Sequence, residues 1–338
     1  MLTCLAVSSA LLASQNQFAI QEASAIPSEL PAIPQEKSKK LILHFDINRT
    51  ILMEDMDRTF DESIIYSLAY YYKDRWDERV SEPIYYGDYV KQYLVPGQAS
   101  DKAIKAERYK RIKKFIEFLK ETNHPLLEEI ESKYRAAAEK GSKSLITPAF
   151  YRLLDYLNEK GIEYSIVLRT FGNDTDRVME EINRKLDTPF FKGKGKVIGE
   201  NVHLDRVYED VESIYSLYKG HLDEKIHFGL EENWELWADN KEARIYGKKF
   251  PFEANGDILS LFFDDNIETD ENRNVVNPVD AKTGAPLSVK ELLADGYIVR
   301  VDGVQALIDD NYFIDKVEKA LNSNAKCKVQ SAKLINKV

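Results

Sequence analysis

The chain has few of the residues that build metal clusters or disulfide frameworks. Its 338 residues include only two cysteines, Cys4 and Cys327, and five histidines. The two cysteines are too few and too far apart for a zinc cluster or a disulfide framework, and the histidines show no metal-ligand spacing. We therefore expect neither a zinc site nor a disulfide-stapled fold.

The chain also lacks an excess of positive charge and a long apolar run. Lys and Arg total 47 against 57 Asp and Glu, which gives a net charge of −10. Nonspecific nucleic-acid binding requires a basic surface, so we expect no nucleic-acid partner. The chain has no run of the ~20 apolar residues that a spanning helix needs, so we expect no integral membrane span. A hydrophobic content of 43% is ordinary for a globular protein.

The first 36 residues predict a signal-like leader and a Pro-rich linker. Residues 2–13 are apolar, and Ala23-Ser24-Ala25 offers a small-residue cleavage site. The usual basic segment of a signal peptide is missing, because no Lys or Arg precedes Lys37. Export through a signal at residues 1–25 and a cytoplasmic location both stay open.

Beyond the linker, strand patterns alternate with helix patterns. Short apolar runs at 40–45, 163–170, 257–263 and 297–301 predict buried strands, and helical patterns cover 147–161, 174–186 and 303–321. Strands separated by helices predict an α/β fold with a parallel sheet. Ligand sites of such sheets lie beyond the carboxyl ends of the strands.

A long helical block interrupts this alternation. Residues 59–140 show helical periodicity that is broken at 83–87 and 96–97. We predict an all-helical insertion at 54–144, a core domain made of 37–53 and 145–325, and a tail at 326–338. Residues 191–237 exceed what such a core needs, and the sequence gives them no functional interpretation.

The polar residues at the predicted strand ends suit phosphoryl transfer. Asp46 can attack phosphorus and form an aspartyl-phosphate, and Thr170 offers a hydroxyl donor to a phosphoryl oxygen. Mg²⁺ prefers oxygen ligands, so Asp46 and Asp264 with a backbone carbonyl would hold it between carboxylate and phosphate. Lys248 or Lys249 would offset the developing negative charge. Trp234 and Trp237 are interpreted first as packing residues.

Four separated segments resemble the signature of the haloacid-dehalogenase-like (HAD) hydrolase superfamily. They are Phe-Asp-Ile-Asn-Arg-Thr at 45–50, Val-Leu-Arg-Thr at 167–170, Gly-Lys-Lys at 247–249 and Leu-Phe-Phe-Asp-Asp at 261–265. The resemblance covers about residues 40–321. It implies a Rossmannoid parallel sheet, with the helical insertion as a C1-type cap that closes over the site and selects the substrate.

The resemblance also implies roles for individual residues. Mg²⁺ would be held by Asp46, Asp264 and the main-chain carbonyl of Asn48, with Asp265 beside them. The expected catalytic residues are Asp46, Asn48, Thr170 and Lys248, where Lys248 is preferred to Lys249 because it directly follows Gly247. The expected phosphate-binding residues are Thr50, Thr170, Arg169 and Lys248, although Arg169 also fits a structural ion pair. The substrate would be a phosphorylated small molecule or protein.

Asn48 departs from the pattern of the phosphatase branches, which have an Asp two residues after the nucleophile. An amide has no titratable proton, and losing a general acid-base group costs typically 10²–10⁴-fold in rate. Three hypotheses stay open: slow hydrolysis of esters with good leaving groups, a substitute acid, or a catalytically weak protein that binds a phospho-ligand or a protein partner. The candidate substitutes are Glu54, Asp55 and Asp57. A dehalogenase is less favoured, because that branch does not need the Asp264-Asp265 pair.

Overall fold

The computed structural model describes residues 40–53, 58–98, 101–141, 146–254 and 256–335, with side chains up to residue 323. The predicted leader and linker at 1–36 lie outside these residues, as do the substitute acids Glu54, Asp55 and Asp57. Within the described residues, no helix combines the length and the apolar character that crossing a membrane requires.

Strands occur along most of the described chain. In chain order they are β1 (Lys40–Asp46), β2 (Lys73–Asp74), β3 (Ile84–Tyr85), β4 (Glu163–Thr170), β5 (Phe191–Ile198), β6 (Asn201–His203), β7 (Val207–Tyr208), β8 (His227–Glu231), β9 (Lys248–Phe252), β10 (Ile258–Asp264), β11 (Val276–Asp280) and β12 (Ile298–Arg300).

Helices separate most of these strands. They are α1 (Phe60–Ala69), α2 (Tyr86–Tyr89), α3 (Lys102–Lys113), α4 (Phe115–Glu121), α5 (Leu127–Lys140), α6 (Pro148–Glu159), α7 (Thr175–Leu186), α8 (Val211–Asp223), α9 (Trp234–Asp239), α10 (Val289–Asp295), α11 (Gly303–Ile308) and α12 (Tyr312–Ile335). A π-helical turn (Val90–Leu94) follows α2, and a 3₁₀ turn (Arg244–Tyr246) precedes β9. The predicted tail boundary at 326 falls inside α12.

Eight of the strands form one mostly parallel sheet, which confirms the predicted α/β class. The strand order is β12-β10-β1-β4-β8-β5-β6-β7. The strands from β12 to β5 are parallel to one another, and β6 and β7 continue the sheet as an antiparallel edge. Residues 191–237 therefore supply β5 to β8, which is half of the sheet.

The sheet is covered on both faces, as the continuous apolar run of β1 requires. On one face Phe45 meets Phe150 of α6 and Phe313 of α12, with ring centroids 5.3 and 5.2 Å apart. On the other face His44 meets Tyr218 of α8 at 4.9 Å. Because β1 is buried on both sides, its last residue, Asp46, is held at the sheet edge by a well-packed strand.

The inserted segment between β1 and α6 is mostly helical and has its own apolar core, formed by residues such as Leu68, Phe115 and Ile130. The prediction of an all-helical insertion is wrong in one detail. β2 and β3 form a two-stranded antiparallel ladder in which Lys73 pairs with Tyr85. This ladder interrupts the helices where the sequence showed a break at 83–87.

Candidate active site at the carboxyl edge of the sheet

The carboxyl ends of two neighbouring strands bring the predicted acidic residues together. Asp46 is the last residue of β1, and Asp264 is the last residue of the adjacent β10. Phe45 is level with Phe263 on one side and with Leu168 of β4 on the other. Parallel pairing in this register places residues separated by more than two hundred positions at the same edge.

Three carboxylates converge at this edge. Asp46, Asp264 and Asp265 each place an oxygen within 4.8 Å of the others. Their exposed fractions are only 6%, 0% and 9%. Three buried carboxylates at this separation repel one another unless protons or cations offset their charge.

Lys248 supplies part of that compensation. Its Nζ lies 2.6 Å from Asp46 Oδ1 and 2.7 Å from Asp264 Oδ2, and it also donates to the carbonyl oxygen of Arg169 at 3.2 Å. Lys249 faces elsewhere, because its Nζ donates to the carbonyl oxygen of Glu200 at 3.4 Å. Of the two candidate lysines, only Lys248 reaches the carboxylates.

Gly247 allows β9 to start at this position. A Cβ at residue 247 would lie 2.7 Å from the carbonyl oxygen of Val275 and 2.9 Å from that of Asn274. The backbone at residue 247 therefore lies closer to the backbone at 274–275 than a residue with a side chain would allow. This close approach sets the first residue of β9, and with it the position of the Lys248 side chain.

One ammonium group does not balance three carboxylates. Burial raises the pKa of Asp46 to about 8, and the charges of Asp264 and Asp265 add to the rise while Lys248 opposes it. Burial likewise raises the pKa of Asp265 to about 6, against the opposing effect of Arg49. Lys248 itself has a raised pKa, because the carboxylates outweigh the effect of its burial. When all three carboxylates are ionised, they carry one negative charge more than Lys248 and Arg49 together offset, and a further cation would relieve this excess.

The turn after β1 positions the Asp46 carboxylate. The N–H groups of Thr50, Ile51 and Leu52 all point to the carbonyl oxygen of Ile47, at 2.9–3.3 Å. Arg49 adopts a left-handed backbone conformation with φ of 59° to make this turn. The Thr50 hydroxyl donates to Asp46 Oδ2 at 3.4 Å and is completely buried. In this structure the Thr50 hydroxyl orients the Asp46 carboxylate, and its phosphate contact stays a prediction.

Asn48 contacts an acidic residue that the sequence interpretation missed. Its Nδ2 donates to Asp174 Oδ2 at 3.1 Å. A Cβ built on Gly172 would lie 3.2–3.4 Å from Asp174 Oδ2, Asn48 Nδ2 and Thr170 Oγ1, so these three polar groups surround Gly172. Thr170 accepts the Gly172 N–H at 2.9 Å, which leaves its hydroxyl hydrogen to donate. Asp174 immediately precedes α7, and the Gly-Asn-Asp after β4 was the signal that could have identified it.

Arg169 makes its contacts away from the three carboxylates, which favours the structural ion pair, and its phosphate contact stays a prediction. Its guanidinium pairs with Glu232 through Nε, contacts His44 Nδ1 at 3.2 Å and donates to the Lys249 carbonyl oxygen at 3.1 Å. Burial and the Arg169 charge lower the pKa of His44, so a neutral ring accepts the hydrogen bond. Arg169 is 1% exposed and is the structural ion pair that the sequence left as its alternative.

Two further residues near the carboxylates had no sequence signal. Arg49 places Nη2 3.2 Å from Asp265 Oδ2, and Asn266 donates its backbone N–H to Asp264 Oδ1 at 2.8 Å. The Asn266 side chain also donates to Asp265 Oδ1 at 2.9 Å. These contacts fix the orientation of both carboxylates.

The site opens into a cavity of about 890 Å³ between the sheet edge and the insertion. Asp46, Asn48, Thr170 and Lys248 form part of its lining. The insertion contributes aromatic and charged residues, and α9 contributes both of its tryptophans. The lining from these two elements includes Tyr70, Lys73, Tyr85, Lys91, Trp234 and Trp237.

Fold and site together define an α/β protein with a buried aspartate-lysine centre at the carboxyl edge of a parallel sheet. Comparison with family models, with curated proteins and with solved structures finds no match for this chain.

Proposed function

We propose that the chain is a Mg²⁺-dependent phosphatase of the HAD-like type, which acts through an aspartyl-phosphate on Asp46. One observation carries the proposal. The buried carboxylates of Asp46 and Asp264 share the ammonium of Lys248, at 2.6 and 2.7 Å, at the carboxyl edge of a parallel sheet. This arrangement combines a fixed nucleophile with a cation that offsets charge.

The chemistry divides into two displacements at phosphorus. A carboxylate oxygen of Asp46 bonds to phosphorus while the bond from phosphorus to the ester oxygen breaks, and the departing alkoxide takes a proton from solvent water. A second water then bonds to phosphorus while the bond from phosphorus to the Asp46 oxygen breaks. This step releases inorganic phosphate, returns a proton to solvent and restores the Asp46 carboxylate. Lys248 and the Thr170 hydroxyl offset charge on the phosphoryl oxygens in both steps. Thr50 keeps the carboxylate in position.

The donor set fits a hard cation. Asp46, Asp264 and the main-chain carbonyl of Asn48 would hold Mg²⁺, with Asp265 beside them, and all of these ligands are oxygens. Burial and the neighbouring carboxylates raise the pKa values of Asp46 and Asp265, and a bound cation would oppose this rise. When bound, Mg²⁺ reduces the repulsion between the nucleophile and the phosphate anion.

The assignment to the HAD-like type rests on motif order and on placement. The first, second and fourth sequence segments end β1, β4 and β10, and the third begins β9. Their polar residues Asp46, Thr170, Asp264 and Lys248 meet at one edge. The mostly helical insertion faces that edge across the cavity, as a cap would.

A second candidate function is a catalytically weak protein that binds a phosphorylated ligand. The hydrogen bond from Asn48 to Asp174 favours it. An amide that donates to a carboxylate orients that carboxylate, but it delivers no proton to a leaving group. The same centre would then hold phosphate and turn it over slowly.

Hydrolysis of p-nitrophenyl phosphate with Mg²⁺ tests the enzymatic proposal. We expect Asp46→Asn to abolish turnover, and Lys248→Met to reduce it at least 10²-fold because it removes the cation from the phosphoryl group. Lys249→Met is the matched control, since it removes the neighbouring lysine that faces Glu200, and it should keep most of the activity. Equal losses in the two lysine variants would contradict the proposed centre.

A binding measurement separates the two candidates. BeF₃⁻ with Mg²⁺ mimics a phosphorylated aspartate, so it should raise the Tm of the wild-type protein but not of Asp46→Asn. Stabilisation without measurable turnover favours the weak binder. A wild-type Tm that does not respond to BeF₃⁻ would refute both candidates.

A further inference from the structure

The two tryptophans of α9 differ sharply in their surroundings. Trp237 stacks on Phe171 with ring centroids 5.2 Å apart, and its Nε1 donates to the Asn274 carbonyl oxygen at 2.9 Å. Trp234 is 55% exposed. In the described part of the chain, no aromatic ring and no cation lies against the Trp234 indole. The packing interpretation holds for Trp237 and is wrong for Trp234.

Trp234 lies beside the candidate site because of the strand order. Asp46 is level with Arg169 of β4, and Arg169 is level with Leu230 of β8. Neighbouring strands are about 4.8 Å apart, so the backbones at Asp46 and Leu230 are separated by about 10 Å. Trp234 follows Leu230 by four residues and lines the same cavity as Asp46.

The size of the cavity leaves room for more than a phosphate group. Its volume of about 890 Å³ is at the upper end of the range of ligand pockets. The Asp46–Lys248 centre takes the phosphate, and the rest of the volume is available to the organic part of the ester. Covering an exposed indole face with a flat apolar ring has a favourable free energy, because it removes apolar surface from water.

We propose that Trp234 is a stacking platform for a planar aromatic ring of the substrate, held away from the phosphorus by a spacer of about one sugar. This inference rests on the proposed phosphate site. A nucleoside monophosphate has a ring at such a distance, whereas a simple aryl phosphate has its ring directly on the ester oxygen. The backbones at Asp46 and Leu230 are about 10 Å apart, and Trp234 lies four residues beyond Leu230, so the longer compound is favoured.

Equilibrium binding to the full chain tests the platform directly. Calorimetry with Mg²⁺ in the Asp46→Asn background compares adenosine 5′-monophosphate with ribose 5-phosphate, which lacks only the base. Stacking of a base on an aromatic side chain should make the nucleotide bind about 5- to 150-fold more tightly. Phenyl phosphate and cyclohexyl phosphate serve as an aromatic and a saturated ester without a sugar spacer. Their affinities should agree within about threefold, because neither ring reaches Trp234.

Variants then connect the preference to one side chain. Trp234→Ala should reduce nucleotide binding to the level of ribose 5-phosphate. Ile245→Ala is the matched control, since Ile245 is 58% exposed, borders a separate small cavity and does not line the large one. It should preserve the preference for the nucleotide.

Three outcomes would overturn the inference, and they are distinguishable. If ribose 5-phosphate binds as tightly as the nucleotide, the platform is absent while the phosphate site stands. A preference that survives Trp234→Ala assigns the ring to another part of the cavity. If no phosphate compound binds and BeF₃⁻ does not stabilise the wild type, the proposed function fails and the platform fails with it.

Discussion

Replacing Asn48 by Asp is the most informative perturbation of the candidate site. The wild-type amide donates to Asp174 Oδ2 at 3.1 Å, so Asn48→Asp places two carboxylates within hydrogen-bond distance. At an effective dielectric constant of about 20, two unit charges at this separation repel by about 5 kcal/mol, and solvent at the partly exposed Asp174 reduces this value. A repulsion of this size favours one shared proton on the pair at neutral pH.

That proton would be available to a departing alkoxide. A positioned general acid contributes typically 10²–10⁴-fold, which corresponds to about 3–5 kcal/mol of barrier. The gain depends on the leaving group, because p-nitrophenolate departs without a proton and an alkoxide does not. We expect Asn48→Asp to raise kcat for an alkyl phosphate by about 10²–10⁴-fold, with a much smaller change for p-nitrophenyl phosphate.

The double variant Asn48→Asp with Asp174→Asn is the matched control. It exchanges the two side chains, so that the residue-174 amide donates to a carboxylate at position 48. That carboxylate stays ionised and has no proton to give. Initial rates with an alkyl phosphate and Mg²⁺ should therefore fall well below those of the single variant.

Two results would refute this reasoning. The single variant and the double variant could have the same kcat for an alkyl phosphate, which would show that the shared proton plays no part. Alternatively, Asn48→Asp could leave kcat unchanged for both leaving groups, which would mean that position 48 does not face the departing oxygen. If the wild type shows no turnover and Asn48→Asp gains it, the weak-binder candidate is favoured over the enzyme.

Three further predictions concern the surroundings of the site. Burial lowers the pKa of His227 from 6.5 to about 4, so its neutral form stabilises the fold above pH 6.5 and this contribution is lost as the pH falls toward 4. Urea denaturation should show a loss of about 3 kcal/mol over that interval, which His227→Gln should largely remove. Gly303→Ala should lower the Tm and kcat together, since a Cβ would lie 2.1 Å from the Arg49 carbonyl oxygen, and unchanged values would contradict the tight contact. Arg169→Gln should cost about 3–5 kcal/mol in urea denaturation by leaving Glu232 buried and unpaired, and adding Glu232→Gln should recover part of it; a raised KM with unchanged stability would instead indicate a phosphate ligand.

The sequence predicted best where one short segment contains the whole signal. The predicted strand at 163–170 coincides with β4, and those at 40–45 and 257–263 differ from β1 and β10 by one residue at their ends. Continuous apolar runs of this kind need no distant partner to be recognised. The α/β class and the edge at which the acidic residues meet followed from these strands.

Strands without such a signal were missed. β5 has the sequence Phe-Lys-Gly-Lys-Gly-Lys-Val-Ile, in which lysines and glycines interrupt the apolar pattern of a strand. Gly195 is required there, because a Cβ would lie 2.7 Å from the His203 carbonyl oxygen of β6. β2 and β3 contain two residues each, which is too short for any periodicity to show.

The contacts between residues of the site could not be predicted from the sequence either. Asn48 and Asp174 are 126 residues apart, and their contact depends on the pairing of β1 with β4. The sequence left Arg169 open between a phosphate contact and a structural ion pair, because the pattern of one strand does not show which residues of other elements lie beside it. Only the three-dimensional arrangement gives it Glu232 as a partner.

The helix α11 packs against both the insertion and the turn after Asp46. Val304 and Leu307 belong to the apolar cluster of the insertion, while Gly303 at the start of the same helix lies against the Arg49 carbonyl oxygen. Lys133 of α5 adds an ion pair with Asp302 at 2.6 Å, one residue before the helix. We therefore expect a displacement of the insertion to move α11, whose first residue contacts the loop after Asp46, and so to couple opening of the cavity to loosening of that loop.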